Sequence, residues 1–472
     1  MGRARAACRR RVQEERKPVS VDVIVVGAGL TGLVAAYRLQ RSGRRVAVLE
    51  AADRAGGVIG TRMRDQCLFE LGPNSALDSS PAIGDLLEDL GIRDQRIDAQ
   101  PAARRRYVVR GGQLVALPHS AGSFITSPLF TLRGKLRLLA EPFVPAATAV
   151  PEESVSQFVA RRLGPELLDA VVEPFVSGIY AGDPAELSVA ATFPRLYVLE
   201  QRHGSLTRGA IARLREPRDR RPGRMKSFSF RGGMRTLTDA LAQRLPGLEC
   251  GVRAVRVVRE GDGFAVETAG SAPQQRRARA VVLALPAHLA APLVERLASD
   301  AASALAAIPY APIAVVAVAY RRSEVRHPLD GFGFLAPSSE GSAVLGTLFS
   351  STMFEGRAPA DRVLLTSFVG GRRNPTCVDR ADADLAALVK DELARLLGSG
   401  APLFQEIQRW PHAMPQYTFG HRERVAVLEN TERAQAGLLF CGNYRGGVSI
   451  GDCIVNGAAT AERLTRDSTC GV

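Results

Sequence analysis

VDVIVVGAGLTGLVAAYRLQRSGRRVAVLE, residues 21–50, is the stretch on which the reading of the whole chain turns. Residues 21–26 are an almost wholly apolar run, as a parallel strand buried on both faces requires. Gly27, Ala28, Gly29, Leu30, Thr31 and Gly32 follow in the spacing G-x-G-x-x-G. A helical pattern continues to about Ser42, and residues 45–49 form a second strand ending on Glu50. Gly27 permits the tight turn, Gly29 lets backbone approach a pyrophosphate, and Gly32 lets helix and strand pack closely. The helix N-terminus offers unpaired N–H groups and a positive dipole end to phosphate. Glu50, at the strand tip, can accept hydrogen bonds from a ribose diol. The glycine spacing alone recurs by accident in a chain with 45 Gly. Strand, turn, helix, strand and acid in this order instead mark a dinucleotide-binding unit.

Beyond Glu50 and Ala51, the residues Arg54, Gly56, Gly57 and Thr61 fall in the pattern R-x-G-G-x-x-x-T. This resembles the second fingerprint of flavoproteins in the amine oxidase superfamily. Two glycines let the chain turn beneath an extended cofactor, and Arg54 can reach its phosphates. In isolation the same residues would read as a glycine loop closing a hairpin. Joined to the first motif, they favour FAD over NAD.

The 472 residues hold about three domains' worth of core, and 46% hydrophobic content suits a globular protein. The net charge of +14 invites a nucleic-acid reading. Yet only Lys17, Lys135, Lys226 and Lys390 among the basic residues are lysines, and arginines are spread along the whole length. No RNA-binding or zinc-finger signature accompanies them, so no nucleic-acid partner is expected. The charge reads largely as compositional bias that also suits anionic lipid or an acidic substrate. Seven scattered Cys without a C-x-x-C pair suggest a reducing compartment rather than a disulfide framework. The six His show no ligand spacing, so no metal site is expected. Residues 1–20 are Arg-rich without an apolar centre and read as a disordered extension, not a secretory signal. No apolar run approaches the roughly 18 residues of a membrane span.

Further along, Gly72, Pro73, Asn74 and Ser75 mark a sharp turn with exposed N–H groups. Residues 78–91 predict a helix capped near Ser79 and Ser80, with Ile83, Leu86, Leu87 and Leu90 on one face. Residues 117–215 are short helical stretches broken repeatedly by proline. Within them Leu132, Leu136, Leu139 and Phe143 recur at i, i+4, i+7 and i+11, flanked by Arg133, Lys135 and Arg137. That pattern fits an interfacial helix, and equally a core helix with a solvated basic face. From residue 308 strand-like runs dominate, predicting a mixed sheet that packs on the cofactor domain. Residues 437–451, GLLFCGNYRGGVSIG, repeat the strand-then-glycine logic of the N-terminus before a helix from about Asp452. The cofactor domain is therefore expected to be built from both ends of the chain.

More specific motifs stand beside these. They are Gly72-Pro73-Asn74-Ser75, Arg105-Arg106-Tyr107, SGIYAGDP at 177–184 with Leu187-Ser188, Gly331-Phe332-Gly333, PSSE at 337–340, Pro415-Gln416-Tyr417 and Gly446-Gly447-Val448. Together they resemble the oxygen-dependent protoporphyrinogen oxidases of haem biosynthesis, over essentially everything from Val21 onward. The resemblance implies an α/β (mixed α+β) fold with three parts. These are a Rossmann-like FAD domain of p-hydroxybenzoate-hydroxylase type, a mixed-sheet substrate domain and a small helical membrane-binding domain. The expected boundaries are 21–90, 227–300 and 416–472 for the FAD domain, 91–215 for the helical domain, 216–226 for a linker and 301–415 for the substrate domain.

The resemblance further implies oxidation of protoporphyrinogen IX to protoporphyrin IX, six electrons passing in three cycles to three O2. Arg106 would pair a propionate, Leu335, Leu348 and Phe368 would sandwich the tetrapyrrole, and Gly178 would bring backbone close to it. FAD would be held by Gly27, Ala28, Gly29, Leu30, Thr31, Gly32, Glu50, Ala51, Arg54, Gly57, Gly72, Pro73, Asn74, Ser75, Ala254, Trp410, Val448, Ser449 and Ile450. No protein residue would be catalytic in itself, since the flavin carries the chemistry. The implied setting is a homodimer attached monotopically to a membrane, with ferrochelatase as a partner. That membrane would be the cytoplasmic face of a bacterial cell membrane, or an organelle membrane in a eukaryote.

Three rival readings stand beside this one. Coproporphyrinogen III oxidation is the first, although four propionates should demand more polar pocket residues than Leu335, Leu348 and Phe368. Another flavoenzyme of the amine oxidase superfamily would lack the SGIYAGDP and PSSE segments. A flavin-binding membrane protein without turnover is the third.

Overall fold

The computed structural model describes residues 21–146, 152–215, 225–269 and 274–467. The expected N-terminal extension and residues 216–224 of the linker lie outside the described residues. Among the described residues two seven-stranded sheets carry the fold.

The first sheet runs Leu248–Cys250, Val46–Glu50, Val21–Val26, Gln275–Leu283, Gly263–Thr268 and Ala254–Glu260, with Leu438–Phe440 also pairing Gln275–Leu283. The Val21–Val26 strand is parallel to both neighbours, and its alternation sorts its side chains between two cores. Val23 and Val25 face one core with the helices Leu30–Arg41, Pro81–Leu90 and Ile450–Asp467. Ile24 and Val26 face the other, with Ala287–Val294 and Ser299–Ala306. The chain ends meet here as expected. A Cβ at Gly457 in the last helix would lie 2.6 Å from the Thr31 carbonyl oxygen of the first, so glycine lets the two helices approach closely. Ser80 caps the Pro81–Leu90 helix and Gly91 closes it in the left-handed region, as the sequence suggested.

The second sheet runs Phe404–Pro415, Tyr310–Arg321, Arg362–Gly370, Gly346–Leu348, Gly333–Leu335, Tyr107–Arg110 and Gln113–Ala116. One face packs Val316, Val318, Tyr320 and Leu365 against Leu385, Val389 and Leu393 of the Asp382–Leu397 helix. The other face packs Ala317, Ala319 and Leu364 against Cys67, Phe69 and Leu71, which come from the separate two-stranded pair Thr61–Arg64 and Cys67–Glu70 and the residue after it.

Two expectations change. Residues 91–215 are not one helical block, because Tyr107–Arg110 and Gln113–Ala116 complete the second sheet and Arg96–Asp98 pairs with Ser227–Phe230. Tyr107–Arg110 and Gln113–Ala116 pair with each other as a hairpin, while Gly333–Leu335, which joins them to the sheet, and Ser227–Phe230, which pairs with Arg96–Asp98, come far later in sequence. The helices start at Ala121–Thr126, and Val155, Phe158, Val159, Val176, Leu187 and Val189 form their core. The second change concerns Leu132, Leu136, Leu139 and Phe143. All four are exposed, and the Leu132–Leu139 helix contributes no buried residue, so the core-helix reading fails. No helix among the described residues is long and apolar enough to cross a membrane.

Candidate functional site

The glycine turn has the geometry its spacing predicts. Gly27 sits at φ +101°, and a Cβ there would lie 2.6 Å from the Ala284 carbonyl oxygen. A Cβ at Gly32 would lie 2.1 Å from the Gly27 carbonyl oxygen. In front of Gly29 the situation reverses, since no atom lies within 4 Å of where its Cβ would be. Gly29 is also the N-cap of the Leu30–Arg41 helix, and no side chain caps that end. An open cradle before uncapped N–H groups of Leu30, Thr31 and Gly32 is what a pyrophosphate fits.

Glu50 closes the unit. Its Oε2 accepts the Ala28 N–H at 2.7 Å and its Oε1 accepts the Ala52 N–H at 2.9 Å, which pins the Ala51 turn while lone pairs remain for a diol. Cys250 pairs with Glu50, and the Val252 N–H donates to the Glu50 carbonyl at 2.8 Å, which draws the start of the Ala254–Glu260 strand alongside. The second glycine loop faces the first: a Cβ at Gly57 would lie 3.4 Å from the Gly29 Cα, and the Gly56 N–H donates to the Ala28 carbonyl at 2.8 Å. Arg54 differs from expectation. Its guanidinium donates to the carbonyls of Ala55, Ile59 and Gly57 at 3.0, 3.0 and 3.1 Å, so it braces its own loop instead of reaching outward.

Gly72, Pro73, Asn74 and Ser75 lie half-buried beside this loop. A Cβ at Gly72 would lie 2.3 Å from the Val58 carbonyl oxygen, and the Asn74 amide donates to the Gly72 carbonyl at 3.0 Å. From the second sheet, Trp410 Nε1 donates to the Leu71 carbonyl at 2.6 Å. The residues 448–450 enter from the other end of the chain. Ser449 accepts the Asp452 N–H at 3.1 Å and starts the Ile450–Asp467 helix, with Val448 just outside it.

Sequence reasoning missed what holds this last loop. The Tyr417 hydroxyl donates to the Asn443 carbonyl at 2.6 Å and accepts the Gly447 N–H at 3.1 Å. His421 stacks on the Tyr417 ring at 4.2 Å between centroids, and its Nε2 meets the Tyr444 carbonyl at 3.0 Å. Burial pushes the Tyr417 hydroxyl well up and the His421 imidazole down to about 4, so both are neutral donors. The motif Pro415-Gln416-Tyr417 was the signal available, but its partner loop is distant in sequence.

Glu70 was also missed. It is buried, accepts from the Thr61 hydroxyl at 2.6 Å and the Met234 N–H at 2.9 Å, and lies 3.6 Å from the buried Arg357. Burial lifts its carboxyl from 4.5 to about 7, against the pull of Thr61, Arg357 and the Met234 N–H. Arg357 in turn donates to the Ser229 hydroxyl at 2.6 Å, so this cluster ties the Cys67–Glu70 strand to the Ser227–Phe230 strand just before Gly72.

The residues read as substrate contacts share one face of the second sheet. Leu335 is paired with Gly346, and Gly346 with Phe368, so the two apolar side chains flank a glycine in one row. Leu348 lies one row away on the same face. All three are only partly buried. Gly178 closes over them from the helical block: it sits inside the Glu173–Tyr180 helix, and a Cβ there would lie 2.3 Å from Leu335 Cδ2. Arg106 stands at the rim, just before Tyr107–Arg110, with its guanidinium carbon 5.2 Å from the Phe332 ring centre. Its neighbour Arg105 is committed to Asp330, which also accepts from the Tyr107 hydroxyl at 2.7 Å. Of this pair, Arg105 is thus tied to Asp330, while Arg106 faces an aromatic ring.

A family profile described as flavin-containing amine oxidoreductase matches residues 30–465. The chain belongs to that family. It is an FAD-dependent oxidoreductase, and the open cradle at Gly29 suits that cofactor. Among curated relatives, protoporphyrinogen oxidase 2 (chloroplastic/mitochondrial) of Arabidopsis thaliana is 34% identical, covering 93% of each chain. Coproporphyrinogen III oxidase of Bacillus subtilis (strain 168) is 28% identical over 94% of this chain and 98% of its own. A crystal structure from Exiguobacterium sp. 255-15 superposes with a TM-score of 0.80 at 26% identity, covering 95% of this chain and 99% of that one.

Proposed function

We propose that this chain oxidises protoporphyrinogen IX to protoporphyrin IX, with O2 as the final acceptor. The observation that carries the reading is the single apolar face of Leu335, Phe368 and Leu348 under Gly178, with Arg106 at its rim. A flat, largely apolar tetrapyrrole would lie along this face beside the Gly178–Leu335 contact, with a propionate toward the exposed Arg106. Bound FAD supplies a two-electron acceptor, so three cycles remove six hydrogens from the porphyrinogen and convert three O2 to three H2O2. The chain's own residues bind, orient and exclude water. Glycine at 178 lets helix backbone approach the ring, and the Gly27, Gly57, Gly72 and Gly447 loops hold the cofactor.

The exposed Leu132, Leu136, Leu139 and Phe143 support attachment to a membrane surface, where a hydrophobic product would be received. Of the cations flanking them, Lys135 donates to the carbonyls of Ile125 and Ser127 at 2.6 and 3.0 Å, and Arg137 bonds the carbonyls of Arg161 and Arg162. Arg133 is the exposed one of the three. Apolar burial, more than charge, would then supply the attachment.

The test offers purified yellow protein protoporphyrinogen IX and coproporphyrinogen III side by side in air and follows porphyrin fluorescence. Preference for the first supports the proposal. Preference for the second, or turnover of neither, overturns it.

A further inference from the structure

The segments SGIYAGDP and PSSE are not among the residues read as cofactor contacts, yet they meet in space. The Glu173–Tyr180 helix follows a π-helical turn, Leu168–Val172, and ends on Ala181 at φ +49°. A π-turn and a left-handed alanine are both costly backbone, and they persist only where surrounding contacts over-determine them. Those contacts converge on one arginine. Arg373 donates to Glu173 Oε1 at 2.6 Å and forks onto both oxygens of Asp183 at 3.1 and 3.2 Å. It also bonds the Ser338 hydroxyl, and the Ser338 N–H donates to Glu173 Oε2 at 3.1 Å. Beside it the Arg372 N–H donates to the Ala181 carbonyl at 2.7 Å.

Glu173 and Asp183 bracket Gly178, while Ser338 lies just past the Leu335 strand end. Glu173 is buried and Arg373 partly so, which strengthens these charged bonds over exposed ones. We propose that Arg373 is a positioning residue for the porphyrinogen: by tying Glu173, Asp183 and Ser338 together, it fixes the Gly178 backbone against Leu335 and so sets the wall against which the tetrapyrrole lies. This rests on the porphyrinogen reading above. A latch of this kind moves substrate affinity, not flavin binding.

The experiment compares the wild type with Arg373→Ala, Arg373→Lys and Ser338→Ala, using Arg277→Ala as a control. Arg277 pairs Glu260 on the exposed edge of the first sheet. KM and kcat for protoporphyrinogen IX, the dissociation constant of protoporphyrin IX by fluorescence quenching, and FAD content are measured on each holoenzyme. Arg373→Ala is expected to raise KM and the product dissociation constant about tenfold while kcat stays within about twofold. FAD content and flavin spectrum stay at wild-type values. Arg373→Lys recovers part of the loss, since an ammonium can reach one carboxylate but cannot fork. Should Arg373→Ala fail to fold, Arg373→Lys and Ser338→Ala carry the test, with smaller rises in KM expected. Unchanged KM in every folded variant, or a loss of FAD that matches the loss of affinity, overturns the latch alone. Silence of the wild type on both porphyrinogens overturns the substrate reading and the latch with it.

Discussion

Trp410 of the second sheet is tied to Leu71, just past the Cys67–Glu70 strand, by one hydrogen bond: the indole Nε1 donates to the Leu71 carbonyl at 2.6 Å. Leu71 precedes the Gly72–Ser75 turn, so the strand Phe404–Pro415 reaches across to fix a segment expected to face the cofactor. Trp410→Phe keeps most of the ring and removes the donor. The expected cost is about 1 kcal/mol of stability by denaturant titration. FAD affinity should fall several-fold, and unchanged values of both would show that the bond is incidental.

Arg54 braces its own loop through three carbonyls. A lysine keeps the charge but cannot span the fork. Arg54→Lys should therefore weaken FAD binding nearly as much as Arg54→Ala, as read by flavin fluorescence on dilution. If lysine restores wild-type affinity, charge toward the phosphates matters more than the brace.

Glu70 gives a pH signature. Burial raises its folded-state value to about 7 from 4.5, so between these values the native chain holds a proton that the unfolded chain has lost. Its contribution to stability is full below the ordinary value and fades as pH rises through 7. Glu70→Gln can still accept from Met234 and donate to Thr61 without titrating. Melting temperatures from pH 5 to 8 should fall with pH in the wild type relative to this variant. Parallel curves would place the titration elsewhere.

The exposed apolar row makes a prediction about salt. With Lys135 and Arg137 engaged by backbone carbonyls, vesicle binding should depend weakly on ionic strength and strongly on Leu136 and Phe143. Leu136→Asp with Phe143→Asp should abolish co-sedimentation with vesicles and leave turnover in detergent intact. Binding that vanishes at moderate salt in the wild type would point to charge instead.

The dinucleotide unit was legible because every part of its signal is local: strand, glycines, helix and acid follow one another within residues 21–50. The apolar face of Leu335, Leu348 and Phe368 was readable only through resemblance, since a strand residue looks the same over a core or a cleft. What escaped was long-range. Tyr417 grips a loop 26 and 30 residues away, and Glu340 of the PSSE segment accepts the Gly112 N–H from 228 residues away. The exposure of Leu132 and its companions was equally invisible, because periodicity gives a face and not what the face meets. Tyr107–Arg110 and Gln113–Ala116 pair with each other across the Gly111–Gly112 turn, a local hairpin signal left unread, and only the rest of their sheet arrives later with Gly333–Leu335.

The close fit of Gly457 over Thr31 has a consequence for biosynthesis. As the nascent chain leaves the ribosome, the Leu30–Arg41 helix, most of it destined for the interior, emerges long before the Ile450–Asp467 helix that covers it. Until the Ile450–Asp467 helix emerges, the Val21–Val26 strand and the Leu30–Arg41 helix lack that cover. A chain lacking the Ile450–Asp467 helix would be left with the buried face of Leu30–Arg41 uncovered and prone to aggregation.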